Sequence, residues 1–162
     1  MVPNLLWSLI FLLPVCIFCY SAVNRQILYI FILISLITIF FPNTFFNRLQ
    51  LSKSDRFYKK AGVMRINTLT QNGTLVNNFV RKKYPGYNPL PANKTAAGQL
   101  LNRGYMFEKY HFLMFCFFGL LTIYAIVGHY YFWAVVFLLS NILYNVYPIL
   151  LQQYIRLRLT KK

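Results

Sequence analysis

The sequence predicts an all-α membrane protein with four transmembrane helices, arranged as two hairpins that a long basic cytoplasmic loop joins. Hydrophobic residues make up 58% of the 162 positions and gather in long runs, each long enough to cross the hydrocarbon core of a bilayer. The charged residues lie between and after these runs and give a formal net charge of +15. Charges that flank spans favour anionic lipid headgroups or a phosphorylated substrate as partners, and not nucleic acid. We expect a single membrane domain, 1–162.

The first hairpin is predicted from spans at about 5–23 and 27–46. The first of these runs carries no charge, and Pro14 is expected to kink its helix, which packed neighbours in lipid tolerate. A very short turn at 24–26 separates the two spans. The second run is rich in isoleucine, but its length in an apolar segment favours a helix over a strand.

The polar segment 47–109 is predicted to form the loop between the hairpins. It holds twelve of the seventeen basic residues. Residues 55–60 mix aromatic and cationic side chains, a pattern typical of a helix that lies on a bilayer surface. Three prolines and a glycine at 84–91 exclude regular structure there, and Thr95 is a candidate N-cap for a helix that leads towards Glu108.

The second hairpin is predicted from spans at about 110–128 and 130–151. The two short turns between spans carry one basic residue, Arg25, whereas the loop and the C-terminal tail carry sixteen. Since positive charge accumulates on the cytoplasmic side of membrane proteins, we expect a multi-pass protein of the cell membrane with both termini in the cytoplasm.

Glu108 and His111 are the first candidate site residues. The chain has only two acidic residues and two histidines, and this pair lies three residues apart, on one face of a helix. A carboxylate beside an imidazole at a membrane boundary is a candidate acid/base pair. The alternative is an interfacial ion pair of Glu108 and His111, with Glu108 also reaching Lys109 or Arg103, which would contribute little.

A polar track on the last span provides further candidates. At about 100° per residue, its members fall within a sector of about 60° on a helix. Pro148 lies on the same side and would free the carbonyl of Tyr144. The alternative is that the asparagines only bond to neighbouring helices. The members of the track are Asn141, Asn145, Gln152 and Arg156.

Several chemistries are disfavoured by the sequence. It holds no metal-binding motif, no phosphate-binding glycine loop and no nucleophile elbow of a serine hydrolase. With two acidic residues, it offers few groups for a proton relay. Acyl or group transfer with one histidine as general base needs little more than this chain contains.

Three segments resemble the glycosyl-4,4'-diaponeurosporenoate acyltransferases, small bacterial membrane enzymes of carotenoid biosynthesis. Residues 57–63 are similar to the family's aromatic and basic segment, and this brings Tyr58 and Lys59 among the candidate substrate-binding residues. Residues 108–112 match its E-x-x-H-aromatic motif. Residues 145–148 and 152–158 are similar to its N-x-x-P motif and its arginine-rich ending, which includes Arg158.

The resemblance implies acyl transfer to a hydroxyl of a glycolipid or glycosylated carotenoid at the cytoplasmic leaflet. His111 would act as general base and Glu108 would orient its ring. Asn145 or Gln152 would stabilise the oxyanion. We expect no bound cofactor and no metal; the donor would be an acyl-CoA-like co-substrate whose phosphates Arg156 and Arg158 contact.

Two other classes of function stay open at the level of sequence. The chain could be a non-catalytic membrane subunit or assembly factor whose basic loop docks an acidic partner or anionic lipid. It could also bind or transport a lipid without turnover. Membrane lipids are expected partners in every case, and the sequence does not identify a protein partner.

Overall fold

The computed structural model describes residues 2–67 and 94–160, together with positions 78 and 82. Within these residues all regular structure is helical, which confirms the predicted all-α class. A 3-10 turn, Thr38–Phe40, extends the second helix, and a π-helical turn, Ile142–Val146, joins the last two. The α-helices are α1 (Val2–Ala22), α2 (Arg25–Ile37), α3 (Asn43–Arg48), α4 (Asp55–Lys60), α5 (Val63–Asn67), α6 (Lys94–Val127), α7 (Tyr131–Asn141) and α8 (Tyr147–Thr160).

Three stretches of the described chain are long and apolar enough to cross a membrane. They are Leu5–Ala22, Thr95–Val127 and Tyr131–Thr160. The fourth apolar stretch, Arg25–Phe40, is shorter. At a rise of 1.5 Å per residue it reaches about 24 Å, somewhat less than the ~30 Å hydrocarbon core.

Pro42 explains why the second apolar helix is shorter than the predicted span 27–46. The backbone becomes extended at Phe41 (φ −65°, ψ 130°) and Pro42 (φ −70°, ψ 160°), because a proline disfavours the helical conformation in the residue before it. The chain then turns into α3. The predicted span 27–46 is therefore divided in the structure into α2, with its 3-10 extension, and α3.

The predicted loop 47–109 also differs from the structure at its second boundary. The helix predicted to begin at Thr95 is present as the start of α6, which is 34 residues long and begins one residue earlier, at Lys94. It continues through Glu108 without a break, so the loop ends earlier than predicted. The helix expected at 55–60 is present as α4. The segment 84–91, predicted to be irregular, lies outside the described residues.

The main apolar core lies where α1, α2, α6 and α7 meet. Phe18 is fully buried at its centre and contacts the rings of Tyr130 and Phe137 at 5.5 and 5.0 Å. The hydroxyl of Tyr124 donates to the carbonyl of Ala22 over 3.0 Å. These contacts bring the turn after α1 and the turn after α6 to the same end of the bundle.

A second apolar cluster lies at the other end, where α4 and α5 pack on α8. Its members are Tyr58, Val63, Leu150, Leu151, Tyr154 and Leu157, all of them buried. The cluster holds the basic helix α4 against α8 at the level where α6 carries Glu108. The polar groups described next lie beside this cluster.

Candidate functional site

Glu108 and Arg156 form an ion pair in the interior of the protein. The Glu108 side chain on α6 is fully buried, and Arg156 on α8 is 6% exposed. The Arg156 guanidinium donates from Nη1 to Glu108 Oε2. It also donates from Nη2 to the carbonyl of Phe46 over 2.9 Å and from Nε to Gln50 Oε1 over 3.1 Å. Every nitrogen of the guanidinium therefore has a partner within the protein.

This ion pair is possible because the chain bends at Pro42. The bend directs α3 across α6 between Tyr105 and Phe112. The Phe46 carbonyl and the Gln50 side chain therefore reach the guanidinium. The Tyr105 ring lies 5.1 Å from the guanidinium carbon on its other side. Two charges removed from water are stable together only when such additional partners satisfy their remaining hydrogen-bonding groups.

Gln153 extends the network and uses its whole amide. Its Nε2 donates to the carbonyl of Leu49 (3.2 Å) and, more weakly, to Glu108 Oε1 (3.5 Å). Its Oε1 accepts from the amide of Leu51 and the hydroxyl of Tyr58, both at 3.2 Å. An amide side chain has two donor hydrogens and two acceptor lone pairs, so Gln153 is fully bonded.

Sequence reasoning selected Gln152, whereas the structure buries Gln153. The helical wheel assumed a continuous α-helix at about 100° per residue. In the π turn the amide of Tyr147 donates to the carbonyl of Ile142, five residues earlier. This wide turn takes up one additional residue and shifts the following positions by about one place on the wheel. Gln152 instead lines a groove between α6 and α8.

Tyr58 is a predicted substrate-binding residue that the structure places in the buried network. The single hydrogen of its hydroxyl is shared between the carbonyl of Ser52 and Gln153 Oε1, at 3.0 and 3.2 Å. Burial raises the pKa of the Tyr58 phenol, so the group stays protonated and acts as a donor. Its neighbour Lys59 is exposed, as is Arg158 on α8, whose guanidinium lies 5.9 Å from the Tyr154 ring.

Two predicted roles are corrected by this geometry. The hydrogen bonds of Glu108 within the described residues go to Arg156 and Gln153, and none goes to His111. The expected carboxylate–imidazole contact was therefore wrong. Arg156 was expected to bind a phosphate, but its guanidinium is occupied by protein groups. Glu108 and Arg156 stabilise the arrangement of α3, α6 and α8.

His111 lies one turn after Glu108 on α6 and faces the π turn. Its ring is 5.7 Å from the Tyr144 ring and 5.1 Å from the Tyr110 ring. The imidazole approaches the carbonyl of Tyr144 and the side chain of Asn145. Its Nδ1 is nevertheless buried without a hydrogen-bond partner. A buried polar atom without a partner is costly, so this nitrogen is available for an interaction with a ligand or a small rearrangement.

Asn141 and Asn145 line the same side of the last helical stretch and bond to each other. Asn145 is fully buried and donates from Nδ2 to Asn141 Oδ1 over 2.8 Å. Asn141 donates from Nδ2 to the carbonyl of Phe115 on α6 over 3.1 Å. Asn145 Oδ1 is buried and, like the imidazole Nδ1, unpartnered. Asn141 thus links two helices, as the packing interpretation predicts, whereas Asn145 keeps an unused acceptor.

The described residues bring no three His, Cys, Asp or Glu side chains together in a group that would hold a metal ion. The site that the structure does assemble is polar, buried and built from α6, the π turn and α8. Its chemistry is that of an imidazole beside amide groups and a carbonyl, next to a neutralised ion pair.

Comparison with known proteins identifies the family. The model of the family described as glycosyl-4,4'-diaponeurosporenoate acyltransferase (CrtO) matches residues 42–162, which include α3 to α8 and every residue of the site. Comparisons with curated proteins and with solved structures returned no match. Since the family match extends over most of the chain, the protein belongs to the glycosyl-4,4'-diaponeurosporenoate acyltransferase family, whose description indicates an acyltransferase of carotenoid biosynthesis.

Proposed function

We propose that the protein transfers an acyl group from an acyl-CoA-like donor to a hydroxyl of a glycosylated carotenoid or a related glycolipid. Family membership supports acyl transfer. The single observation that carries the mechanism is His111, whose imidazole lies among amide and carbonyl groups with Nδ1 buried, so that Nε2 is the nitrogen left to act as the base. A histidine whose basic nitrogen is not hydrogen-bonded to a carboxylate or to a protein donor is suited to take a proton from a substrate hydroxyl.

The proposed reaction needs one proton acceptor and no redox partner. His111 removes the proton of the sugar hydroxyl as its oxygen attacks the carbonyl carbon of the thioester. A carbon–oxygen ester bond forms, the carbon–sulfur bond breaks, and the proton passes from the imidazolium to the departing thiolate. Gln152 is the candidate oxyanion donor, because the amide nitrogen of Asn145 already bonds to Asn141.

The donor's phosphates are assigned to exposed cations. Arg156 is occupied by Glu108, whereas Lys59 and Arg158 are exposed on α4 and α8, which pack together. Guanidinium and ammonium groups on one surface suit the phosphates of a coenzyme A-like donor. The carotenoid and acyl chains would remain in the surrounding membrane lipid, which is the expected partner of the apolar helix faces.

The same proposal includes a topology. The protein spans the cell membrane four times, with both termini and the basic segment in the cytoplasm and the site at the cytoplasmic leaflet. In support, the turns after α1 and α6 share one end of the bundle, where Tyr124 meets Ala22. Lys59 and Arg158 lie at the other end. Because positive charge marks the cytoplasmic side, a soluble donor would reach the site from there.

Cysteine labelling tests this topology. In a variant without the three native cysteines, we expect His129→Cys to react with a membrane-impermeant maleimide on intact cells. Arg158→Cys should react only after the membrane is permeabilised. Labelling of position 158 on intact cells, with no labelling of position 129, would show that the orientation is the reverse of the proposed one.

A reconstituted assay tests the proposed function itself. The purified full-length protein in nanodiscs is incubated with glycosyl-4,4'-diaponeurosporenoate and fatty acyl-CoA, and the products are separated and weighed by mass spectrometry. We expect an ester of donor and acceptor that needs both substrates. Absence of any ester across a series of acyl-CoA chain lengths would count against the enzyme. Co-purification with other chains at fixed stoichiometry would then favour a non-catalytic membrane subunit.

A further inference from the structure

The two asparagines beside His111 form a relay whose direction is set by the backbone. At one end lies the carbonyl of Phe115, which accepts a hydrogen bond and has no hydrogen to donate. Asn141 must therefore turn its NH₂ group towards it, as observed over 3.1 Å. Its oxygen then faces Asn145, which must turn its own NH₂ group towards Asn141, as observed over 2.8 Å.

This direction leaves the oxygen of Asn145 pointing away from Asn141. Asn145 Oδ1 and His111 Nδ1 are both buried without a partner, and the imidazole lies beside this side chain. One hydrogen bond between these two atoms would satisfy both of them. Because Asn145 Oδ1 only accepts, the imidazole nitrogen must then carry the hydrogen.

We propose that Asn145, held in direction by Asn141 and the Phe115 carbonyl, is the positioning residue of His111. It accepts a hydrogen bond from Nδ1–H and so selects the neutral tautomer in which Nε2 is the unprotonated base. The inference rests on the proposed function, in which His111 is that base. It gives Asn145 the role that the sequence assigned to Glu108, with a neutral amide in place of a carboxylate.

The location of the relay suits this role. Asn145 lies in the π turn, and its neighbour Pro148 has no amide hydrogen with which to bond the carbonyl of Tyr144. That carbonyl also lies beside the imidazole, so it is the alternative acceptor for the single N–H of the neutral ring. π-helical turns are frequent at functional sites because they present groups that a regular helix keeps bonded.

The tautomer of His111 can be measured without any substrate. The chain has two histidines, so His129→Asn leaves His111 as the only one. In this background the full-length protein, labelled with ¹⁵N-histidine in detergent micelles, should show hydrogen on Nδ1 and an unprotonated Nε2. Asn141→Leu removes the hydrogen bond that Asn145 Nδ2 donates to Asn141 Oδ1. Asn145 should then turn over, and the ring should shift towards the Nε2–H form. Asn145→Leu should lower the Nδ1–H share directly.

Ser140→Ala is the matched control, because Ser140 is a buried polar neighbour of Asn141 that lies outside the relay. It should leave the tautomer unchanged. An Nδ1–H form that persists in both leucine variants would overturn the relay and leave the Tyr144 carbonyl as the orienting group. An Nε2–H form in the parent protein would overturn the assignment outright.

Activity measurements separate this inference from the proposed function. Asn141→Leu should lower kcat by at least about tenfold with a smaller change in KM, as expected when a base is in the wrong tautomer. Transfer that continues at full rate with the wrong tautomer would contradict the relay and leave the acyltransferase intact. If the predicted tautomers are observed but the protein transfers no acyl group, the proposed function is contradicted and the relay still holds.

Discussion

Glu108→Ala is expected to lower the free energy of unfolding by about 3–5 kcal/mol, because it leaves the Arg156 guanidinium buried without its counter-charge. The carboxylate is fully buried and also accepts from Gln153, so a polar amide loses a partner in the same variant. Reversible unfolding in mixed micelles, followed by tryptophan fluorescence, measures the effect. An unfolding free energy equal to that of the parent protein would show that the pair does not hold α3, α6 and α8 together.

The double variant Glu108→Leu with Arg156→Met provides the decisive comparison. Buried ion pairs replaced as a whole by apolar residues of similar volume are often neutral or even more stable. We therefore expect the double variant to recover much of the stability that either single substitution removes. Arg158→Ala, an exposed cation on the same helix, is the control and should change the unfolding free energy by less than about 1 kcal/mol.

The second large effect is on activity. His111→Asn should lower the rate of acyl transfer by roughly 10²–10⁴-fold, the usual contribution of a general base. The protein should still fold and insert, because the asparagine side chain keeps an N–H donor close to the position of the imidazole Nδ1 and can serve Asn145 Oδ1 in its place. The measurement is the rate of ester formation in nanodiscs, together with the yield of folded protein.

His129→Asn is the matched control for this prediction, since it is the same substitution at the chain's other histidine. His129 lies in the turn between α6 and α7 with φ 60°, a conformation that asparagine also adopts readily. Its Nδ1 bonds to the hydroxyl of Tyr131 over 2.9 Å, away from the site. Full activity in His111→Asn, or an equal loss in both variants, would exclude His111 as the general base.

Local sequence patterns were sufficient for the helices and insufficient for their ends. Long apolar runs predict α1, α6 and the last helical stretch, because burial in lipid requires every backbone group to bond within its own helix. The bend at Pro42 could have been predicted from the proline itself. The start of α6 was predicted within one residue from Thr95 as a helix cap, whereas the sequence did not show that this helix continues without a break into the third span.

The sequence identified most of the candidate site residues but did not identify their contacts. Glu108, His111, Asn145 and Arg156 were selected because charged and amide groups are rare in apolar segments. Gln153 was missed because no sequence pattern predicts the π turn, and the π turn causes the shift in helical register that buries Gln153. The only signal for Gln153 in the sequence is that it directly follows Gln152. A helical wheel drawn without the π turn places Gln152, and not Gln153, on the polar face.

The sequence by itself determined that this protein is helical, apolar enough for a membrane, and a member of its acyltransferase family. Only the tertiary structure decided which groups meet. Glu108 has a histidine three residues away, yet its partner is Arg156 on another helix. The reason is energetic: a buried carboxylate needs a full opposite charge and several donors, and the packing of α3 and α8 against α6 supplies them, whereas proximity along one helix does not.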